Sequence, residues 1–447
     1  MRLWSPLILV GLWLHSSPTL ASAQQAHDAF RRWATTRAFS VATTDADTTG
    51  LDLLPFRALV GQARVVAYGE PTHGTHEPLA FRNRLFRFLV EHMGFTAIAI
   101  ESGVTESEAI ERYVAGGPGD LQDIVRNGFS WGFGEFGENE DLIAWMRAYN
   151  TNPAHSRKLR FYGIDLSGAG NGAFPYARRS VDAALASLQR RDGAIADSLQ
   201  RELSPLMERF SSDKYALLSS GEREQIAGGL TRLAAALVAT RPPSSSTNAD
   251  GACDRSSRNV VVAEQLNRML EVYPPPGPGP GIPPEAFRAA SARDSGMADN
   301  VRWALRCEGT GGRLLVFSHN NHVMNGLVTG GPWSAFRVPP PAMGKFLRGS
   351  LGDSLIIIGS ATADTTGGFP ETRADSVSVD FALSRVSSSS FVLDLRSART
   401  RPAVWAWLSR AQPLRSNVTT QAIITPSVAF DAFVFFPALT EARRRPQ

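Results

Sequence analysis

Short apolar runs that end in polar or glycine-rich sequence recur along this chain. Four of them are continuous rather than alternating, which is typical of strands buried on both faces of a parallel sheet. Helical patterns lie between them, as βαβ units require. We therefore predict an α/β fold in which a mainly parallel open sheet is sandwiched by helices. The first four strands are predicted at residues 64–68, 96–100, 159–164 and 313–318.

One long stretch interrupts this alternation. It begins near residue 176 with a segment rich in Ala, Leu, Arg and Glu, and it continues into two stretches rich in Pro, Gly, Ser or Asn. Such compositions predict helices followed by linkers or exposed loops. The domain prediction is a first part of the α/β core at 24–175, an all-helical insertion with Pro/Gly-rich linkers at 176–288, and the rest of the core with a C-terminal α/β portion at 289–447.

The N-terminus has the pattern of a secretory signal peptide over residues 1–23. Arg2 is the only charge ahead of an apolar run at 3–14, and small residues precede a cleavage site near Ala23. The run is too short for a membrane span. We expect an exported protein, periplasmic or extracellular, with no stable membrane anchor and a mobile lead-in from residue 24 to about 49.

Length, charge and cysteine content narrow the class of protein. About 420 residues after cleavage exceed one ordinary core, so two or three domains are expected. A formal net charge of +4 with scattered arginines gives no case for nucleic-acid binding. Cys253 and Cys307 could form a disulfide in an exported protein or remain free thiols, and the sequence leaves both readings open, as it does the oligomeric state.

Side chains of catalytic type follow all four predicted strands. Because the carboxyl ends of parallel strands lie at one edge of a sheet, where ligands bind in open α/β folds, we expect these side chains to converge. Any one of the histidines alone could be a hydrogen-bonded structural residue, so the set carries the prediction. The residues are Glu70 and His73 after the first strand, Glu101 after the second, Asp165 after the third, and His319 and His322 after the fourth.

This set of residues favours hydrolysis by activated water. A histidine beside a carboxylate is a general base near neutral pH, and a second histidine or an arginine can stabilise an oxyanion. The sequence contains no Gly-x-Ser-x-Gly elbow, no Walker A lysine and no dinucleotide fingerprint. We therefore predict an enzyme that uses neither a serine nucleophile nor a cofactor.

Arg82 allows two interpretations. It lies on the apolar stripe of the helix that follows the first strand, near the sheet edge. Its guanidinium could reach solvent from that stripe. It could instead point into the crevice, where it would pair with Glu101 or bind a developing oxyanion.

Two other functions remain open. His319 and His322, together with Glu70, Glu101 or His73, offer enough ligands for zinc or manganese, which would make the protein a metal-dependent hydrolase. Alternatively, the chain could be a non-enzymatic binding protein whose aromatic residues line an apolar pocket, although the same residues could be ordinary core. These aromatic residues are Trp131, Phe133, Phe136, Trp333 and Phe336.

Several motifs together resemble the erythromycin esterase family. They are Gly69-Glu70-x-Thr72-His73-Gly74-Thr75, Ile100-Glu101, Gly163-x-Asp165, Arg293-Asp294-x-x-Met297-Ala298-x-Asn300 and His319-Asn320-x-His322. The family hydrolyses the macrolactone ester of macrolide antibiotics and thereby confers antibiotic resistance. The resemblance thus implies an esterase whose substrate is a small-molecule ester, with an α/β core, a helical insertion and a further small α/β portion.

The resemblance also implies roles for individual residues. His73 is expected to be the general base that activates water, with the carboxylates of Glu70 and Glu101 orienting the base and the water. The ester carbonyl and its oxyanion are expected to be bound by Arg82, His319 and His322. Substrate-binding residues are predicted to be Trp131, Asp165 and Arg293.

Overall fold

The computed structural model describes residues 20–45, 50–170, 173–241, 253–273, 286–336, 338–366 and 372–444. Most of the predicted signal peptide and most of the two predicted Pro/Gly-rich linkers lie outside these residues. Within them, no helix has both the length and the apolar content needed to cross a membrane.

The secondary structure alternates between strands and helices through most of these ranges. The strands are β1 (Phe39–Ser40), β2 (Val65–Glu70), β3 (Ala97–Gly103), β4 (Arg160–Asp165), β5 (Leu314–His319), β6 (Leu355–Thr365), β7 (Thr372–Arg373), β8 (Phe391–Asp394), β9 (Gln412–Arg415), β10 (Gln421–Ile424) and β11 (Ala432–Leu439). The helices are α1 (Leu20–Arg37), α2 (Phe56–Val60), α3 (His76–Met93), α4 (Ser107–Val114), α5 (Leu121–Gly128), α6 (Gly137–Thr151), α7 (Arg179–Gln189), α8 (Gly193–Met207), α9 (Ser220–Ala239), α10 (Arg255–Glu271), α11 (Ala286–Cys307), α12 (Asn320–Val323), α13 (Met343–Leu351), α14 (Val379–Ser384), α15 (Pro402–Leu408) and α16 (Pro426–Ala429).

One sheet organises the molecule. Its strand order is β1-β8-β11-β6-β2-β5-β3-β4, and β7 pairs with β6. The six strands from β11 to β4 are parallel, whereas β1, β8 and β7 pair antiparallel. The predicted mainly parallel α/β fold is confirmed, and the four predicted strands are β2, β3, β4 and β5. The C-terminal strands β6, β8 and β11 extend the same sheet.

Helices cover both faces of the sheet, which explains the continuous apolar runs. Along β2, Val65 and Ala67 belong to a core cluster that includes residues of α1, α11 and α13. The alternate residues Val66 and Tyr68 belong to a second cluster on the opposite face, which includes residues of α3. Every residue of β2 is therefore buried, as expected for a central parallel strand.

The expected mobile lead-in is wrong for its first part, because α1 occupies it. Phe30 and Trp33, three residues apart, are 1% and 8% exposed, and the ring of Phe30 stacks on Trp407 with 3.8 Å between centroids. These two aromatic side chains lie on one helix face, and their burial against the C-terminal part of the chain holds the helix in place.

The strand order brings the predicted site residues together. β5 lies between β2 and β3, although β3 follows β2 in the chain. In the register of β2 and β5, Glu70 is directly opposite His319. The carboxyl ends of β2, β5, β3 and β4 therefore adjoin at one edge, where an open α/β sheet forms its binding crevice.

Helices α7 to α10 pack around a third apolar cluster of their own. The first turn of α9 carries a capping box in which Ser219 and Glu222 satisfy each other's backbone N–H groups. A disulfide joins Cys253, just before α10, to Cys307, at the end of α11, with 5.2 Å between their Cα atoms. The pairing that the sequence left open is thus present, whereas the domain boundaries at 176 and 288 stay predictions.

The disulfide should contribute measurably to stability. It closes a loop of 54 residues, for which the chain-entropy relation gives a stabilisation of about 4 kcal/mol. Replacing both Cys253 and Cys307 by Ser should lower the free energy of unfolding by up to that amount in urea titrations. A double variant as stable as the unreduced parent would contradict this expectation.

Candidate active site

The site begins at the end of β2, in what we call the catalytic turn, residues 71–75. Gly74 adopts φ 73°, a left-handed conformation that favours glycine, and so reverses the chain before α3. His73 Nδ1 lies 2.7 Å from Glu70 Oε1. Glu70 is 3% exposed, whereas the His73 side chain is 38% exposed. The turn thus presents an accessible imidazole backed by a buried carboxylate.

Glu101 ties the ends of β3 and β5 together. Its Oε2 accepts hydrogen bonds from Ser318 Oγ at 2.6 Å and from the backbone N–H of His319 at 2.9 Å. Burial by itself raises the pKa of this carboxyl, but the charge of His322 and its hydrogen bond, with lesser effects of His73 and Arg293, hold the pKa well below its usual range. Glu101 is therefore a carboxylate at neutral pH.

Arg293 on α11 links two strand ends. Its Nε and Nη2 donate to Asp165 Oδ1 and Oδ2 at 2.9 and 2.6 Å, and Nη2 also donates to Glu101 Oε1 at 2.8 Å. Trp131 Nε1 donates to the same Asp165 Oδ2 at 2.8 Å, and the guanidinium lies 5.0 Å from the centroid of the Trp131 ring. The predicted substrate-binding residues Trp131, Asp165 and Arg293 thus form one connected group.

His322 lies between two carboxylates. Its Nδ1 is 2.9 Å from Asp294 Oδ1 and its Nε2 is 3.3 Å from Glu101 Oε1. Burial disfavours the charged ring, but Asp294 and Glu101 outweigh burial and raise the pKa of His322 to about 10. His322 is accordingly an imidazolium at neutral pH, and its side chain is 17% exposed.

His319 has the opposite protonation state. Its Nε2 donates to the carbonyl oxygen of Pro71 at 3.1 Å, and its Nδ1 accepts from the backbone N–H of Asn321 at 3.1 Å. Burial, reinforced by the charge of His73, lowers the pKa of His319 to about 3. The ring is therefore neutral and both of its nitrogens bond to backbone, which leaves neither for the ester carbonyl that the resemblance assigned to it.

His73 is suited to accept a proton. Desolvation opposes its charged form, but the hydrogen bond and charge of Glu70, followed by the charge of Glu101, raise the pKa of His73 above its ordinary value. When the ring is neutral, Nδ1–H donates to Glu70 and the lone pair resides on Nε2.

Arg82 lies outside the crevice. It is fully buried, and its guanidinium donates to the side-chain oxygens of Asn83 and Asn139 at 2.7–3.0 Å and lies 4.9 Å from the centroid of the Phe317 ring. The expected pairing with Glu101 does not form: Glu101 pairs with Arg293 and His322. Burial raises the pKa of Glu70, and the positive charge of Arg82 acts on the site by opposing that rise, after the larger effect of His73.

These residues surround a pocket of about 510 Å³. Trp131 adopts φ 62°, a rare conformation for a bulky residue that is typical of functional sites. Trp131 belongs to what we call the aromatic loop, residues 129–136. Trp333 and Phe336, considered as pocket residues from sequence, pack on each other elsewhere. The lining residues are His73, Gly74, Glu101, Trp131, Phe133, Phe136, Arg293, His322, Glu441 and Arg444.

No three His, Cys, Asp or Glu side chains are arranged to hold a metal ion in the part of the chain that the structure describes. Of the ligands considered from sequence, His73 pairs with Glu70, His322 lies next to Glu101, and His319 bonds to backbone groups.

Sequence reasoning missed three residues of the site, one that contacts His322 and two that line the pocket. Asp294 raises the pKa of His322. It follows Arg293 directly in one of the motifs given above, so its carboxylate could have been predicted as a site residue. Glu441 and Arg444 follow β11, where no pattern in the sequence distinguishes them from an ordinary polar segment.

The fold and site together combine an open, mainly parallel α/β sheet with a histidine–carboxylate pair opposite two cationic side chains in one pocket, an arrangement suited to hydrolysis. The profile of the family described as "Erythromycin esterase" matches residues 90–439. The chain belongs to the erythromycin esterase family and is a carboxylic ester hydrolase. The catalytic turn lies before the matched residues.

One relative agrees with this assignment, and two solved structures share the fold. The chain is 25% identical to an Escherichia coli protein named erythromycin esterase type II, over 76% of this chain and 80% of the relative. A solved Bacillus cereus protein has a TM-score of 0.76 at 21% identity, covering 94% of this chain and 99% of its own. A mutant of the erythromycin esterase EreC in an open conformation has a TM-score of 0.64 at 19% identity, over 91% and 98% of the two chains.

The protonation states predict a bell-shaped pH profile for kcat/KM. Activity should rise as His73 loses its proton, with a midpoint above the ordinary histidine value because Glu70 raises the pKa. It should fall again near pH 10 as His322 loses its charge. Glu70→Gln should move the acidic limb to lower pH, since removing the carboxylate lowers the pKa of His73. An acidic limb that stays in place would contradict the role of Glu70.

Asp294→Asn should move the alkaline limb of the same pH profile. Without the Asp294 carboxylate the pKa of His322 falls, so the alkaline decline should begin at lower pH while the acidic limb stays in place. Normalised kcat/KM profiles of the two variants, measured on one ester, provide the comparison. A change in the acidic limb alone would show that Asp294 does not act through His322.

Proposed function

We propose that this protein is an exported esterase that hydrolyses a carboxylic ester with water activated by His73. The observation that carries the proposal is the accessible His73–Glu70 pair, which shares one pocket with the cationic side chains of Arg293 and His322. A base and an electrostatic partner for the oxyanion are the two elements that ester hydrolysis by water requires.

The reaction follows from these assignments. Neutral His73 takes a proton from water through Nε2 while the water oxygen bonds to the ester carbonyl carbon. The carbonyl oxygen becomes an oxyanion, which the positive charges of Arg293 and His322 stabilise. The tetrahedral intermediate then collapses and releases the alkoxide. The alkoxide takes the proton from His73 and leaves as the alcohol. The products are one carboxylic acid and one alcohol, with His73 regenerated.

Two residues assigned to oxyanion binding by resemblance take supporting roles in this proposal. His319 holds the catalytic turn through Pro71 and, being neutral, adds no second positive charge beside His73. The positive charge of the buried Arg82 favours the ionised form of Glu70. His322 retains the assigned role, with Arg293 as its partner.

Macrolide esters are the proposed substrate class. The names of the relatives support this, and so does the wall of the pocket, where Trp131, Phe133 and Phe136 offer an aromatic surface to a bulky apolar molecule. Export is supported by the signal-peptide pattern before residue 24 and by the disulfide between Cys253 and Cys307, which suits an oxidising compartment.

His73→Ala tests the proposal. The parent protein should add one water to a member of a panel of macrolides and simpler esters, as detected by mass spectrometry. The variant should lower that rate by ~10²–10⁴-fold, since it removes the base. His76→Ala is the matched control: His76 pairs with Glu138 outside the pocket, so its rate should stay close to that of the parent.

Two outcomes would favour the other functions. Loss of activity after chelation, together with stoichiometric metal in the purified protein, would support the metal-dependent hydrolase. Tight binding of a panel member that is recovered chemically intact would support the binding protein. An unchanged rate in His73→Ala would remove His73 from the role of base.

A further inference from the structure

One side of the pocket is formed by residues that follow the last strand of the sheet. Glu441 and Arg444 line it, and both belong to what we call the rim segment, residues 440–444. The family match ends at residue 439. This part of the pocket wall therefore lies beyond the residues through which the family is recognised.

Backbone hydrogen bonds attach the rim segment to the catalytic turn. The N–H of Ala442 donates to the carbonyl oxygen of Gly74, and the N–H of His76 donates to that of Thr440, both at 2.9 Å. The carboxylate of Glu77 accepts from the N–H and the hydroxyl of Thr440, each at 2.8 Å. The segment thus has a fixed position beside the catalytic base.

The other edge of the rim segment is attached to the aromatic loop. The N–H of Gly137 donates to the carbonyl oxygen of Arg443 at 2.8 Å, and Phe136 forms a β-bridge with Arg444. An ideal Cβ on Gly137 would lie 3.3 Å from Arg443 Cβ, so the two chains are closely packed. The rim segment therefore spans the pocket edge between the base and the aromatic wall.

The surroundings of Arg444 define what its side chain can do there. Its Nη1 lies 2.7 Å from Glu135 Oε2 and its Nε lies 3.1 Å from Glu441 Oε1, while the guanidinium lies 5.3 Å from the centroid of the Phe136 ring. Two carboxylates compensate one positive charge, so the arrangement does not favour an anionic ligand. The side chain instead covers an aromatic surface and remains half-exposed at the pocket mouth.

We propose that Arg444 is a specificity-determining residue that limits the size of the ester substituent entering along the aromatic loop. The inference rests on the proposed esterase function and names the part of the pocket that selects among esters. Among the described residues, the ion-pair partners of Arg444 are Glu135 and Glu441 rather than any residue of the proposed chemical step, so its effect belongs to substrate accommodation.

Arg444→Ala tests this inference with two esters of one acid, one with a small alcohol part and one with a bulky apolar alcohol part. Shortening the side chain should raise the ratio of kcat/KM for the bulky ester to that for the small ester by about 10-fold, the scale on which pocket size discriminates substrates. The change should appear in KM, with kcat for the small ester within about twofold of the parent.

Arg443→Ala is a matched control. Arg443 is the neighbouring residue, is exposed to the same degree and also pairs with two carboxylates, Glu138 and Asp141, but it faces away from the pocket. Its substitution should leave the selectivity ratio unchanged. An unchanged ratio in Arg444→Ala, or an equal change in both variants, would overturn the inference, because the second result would indicate general loosening of the rim segment.

A binding measurement separates this inference from the proposed function. Dissociation constants of the two corresponding amides, measured by calorimetry, should show the same relative gain for the bulky compound in Arg444→Ala. If the parent protein leaves every ester intact, the esterase proposal fails, while the amide ratio still decides whether Arg444 limits the pocket. If the ratio of the two dissociation constants is the same in Arg444→Ala as in the parent, the inference that Arg444 limits substrate size is overturned.

Discussion

The ion-pair network around Arg293 is the interaction on which the rest of the site depends. This one guanidinium, carried by α11, bonds the carboxylates that end β3 and β4, both of which are almost completely buried. A buried charge that loses its partner costs about 3–5 kcal/mol, so none of the three groups is stable there alone. The network therefore fixes the separation of two strand ends and the position of α11 against them.

His319 and His322 illustrate how far the environment decides the chemistry of a side chain. They lie three residues apart around the short helix α12, and in sequence they look equivalent. His319 caps that helix with its ring and is surrounded by backbone groups and by another histidine, so burial dominates and the ring stays neutral. His322 faces Asp294 and Glu101, so it is charged. One ring is thus neutral and bonded to backbone groups, and the other is a cation held between two carboxylates.

The fold and the carboxylates at the strand ends could be predicted from sequence because both follow from local patterns. Continuous apolar runs identified the central strands, and the polar residue that ends each run identified Glu70, Glu101 and Asp165 without knowledge of the strand order. Directions of side chains could not be predicted in the same way. Arg82 satisfied the helical spacing that would aim it at the crevice, but Asn83 and Asn139 hold it beneath the sheet edge.

The walls of the pocket were unpredictable for a different reason. Residues of the aromatic loop and of the rim segment are about 300 positions apart, and they meet through backbone hydrogen bonds, which any sequence can form and which leave no pattern of side chains. The same argument explains why α1 was not predicted. Its aromatic residues pack on α15, which lies at the other end of the chain, so their burial could not be inferred from the local sequence.

The ion-pair network and the aromatic loop are nevertheless connected, because Asp165 belongs to the first and bonds to the second. This carboxylate holds Arg293 in the ion-pair network and also accepts the indole N–H of Trp131. Trp131 adopts a conformation that costs about 1–3 kcal/mol, and the hydrogen bond and the stacked guanidinium offset that cost. Asp165 therefore holds both the indole of Trp131 and the guanidinium of Arg293 in place. In the proposed mechanism, Arg293 stabilises the oxyanion, so the position of that guanidinium depends on the same carboxylate that fixes the Trp131 ring.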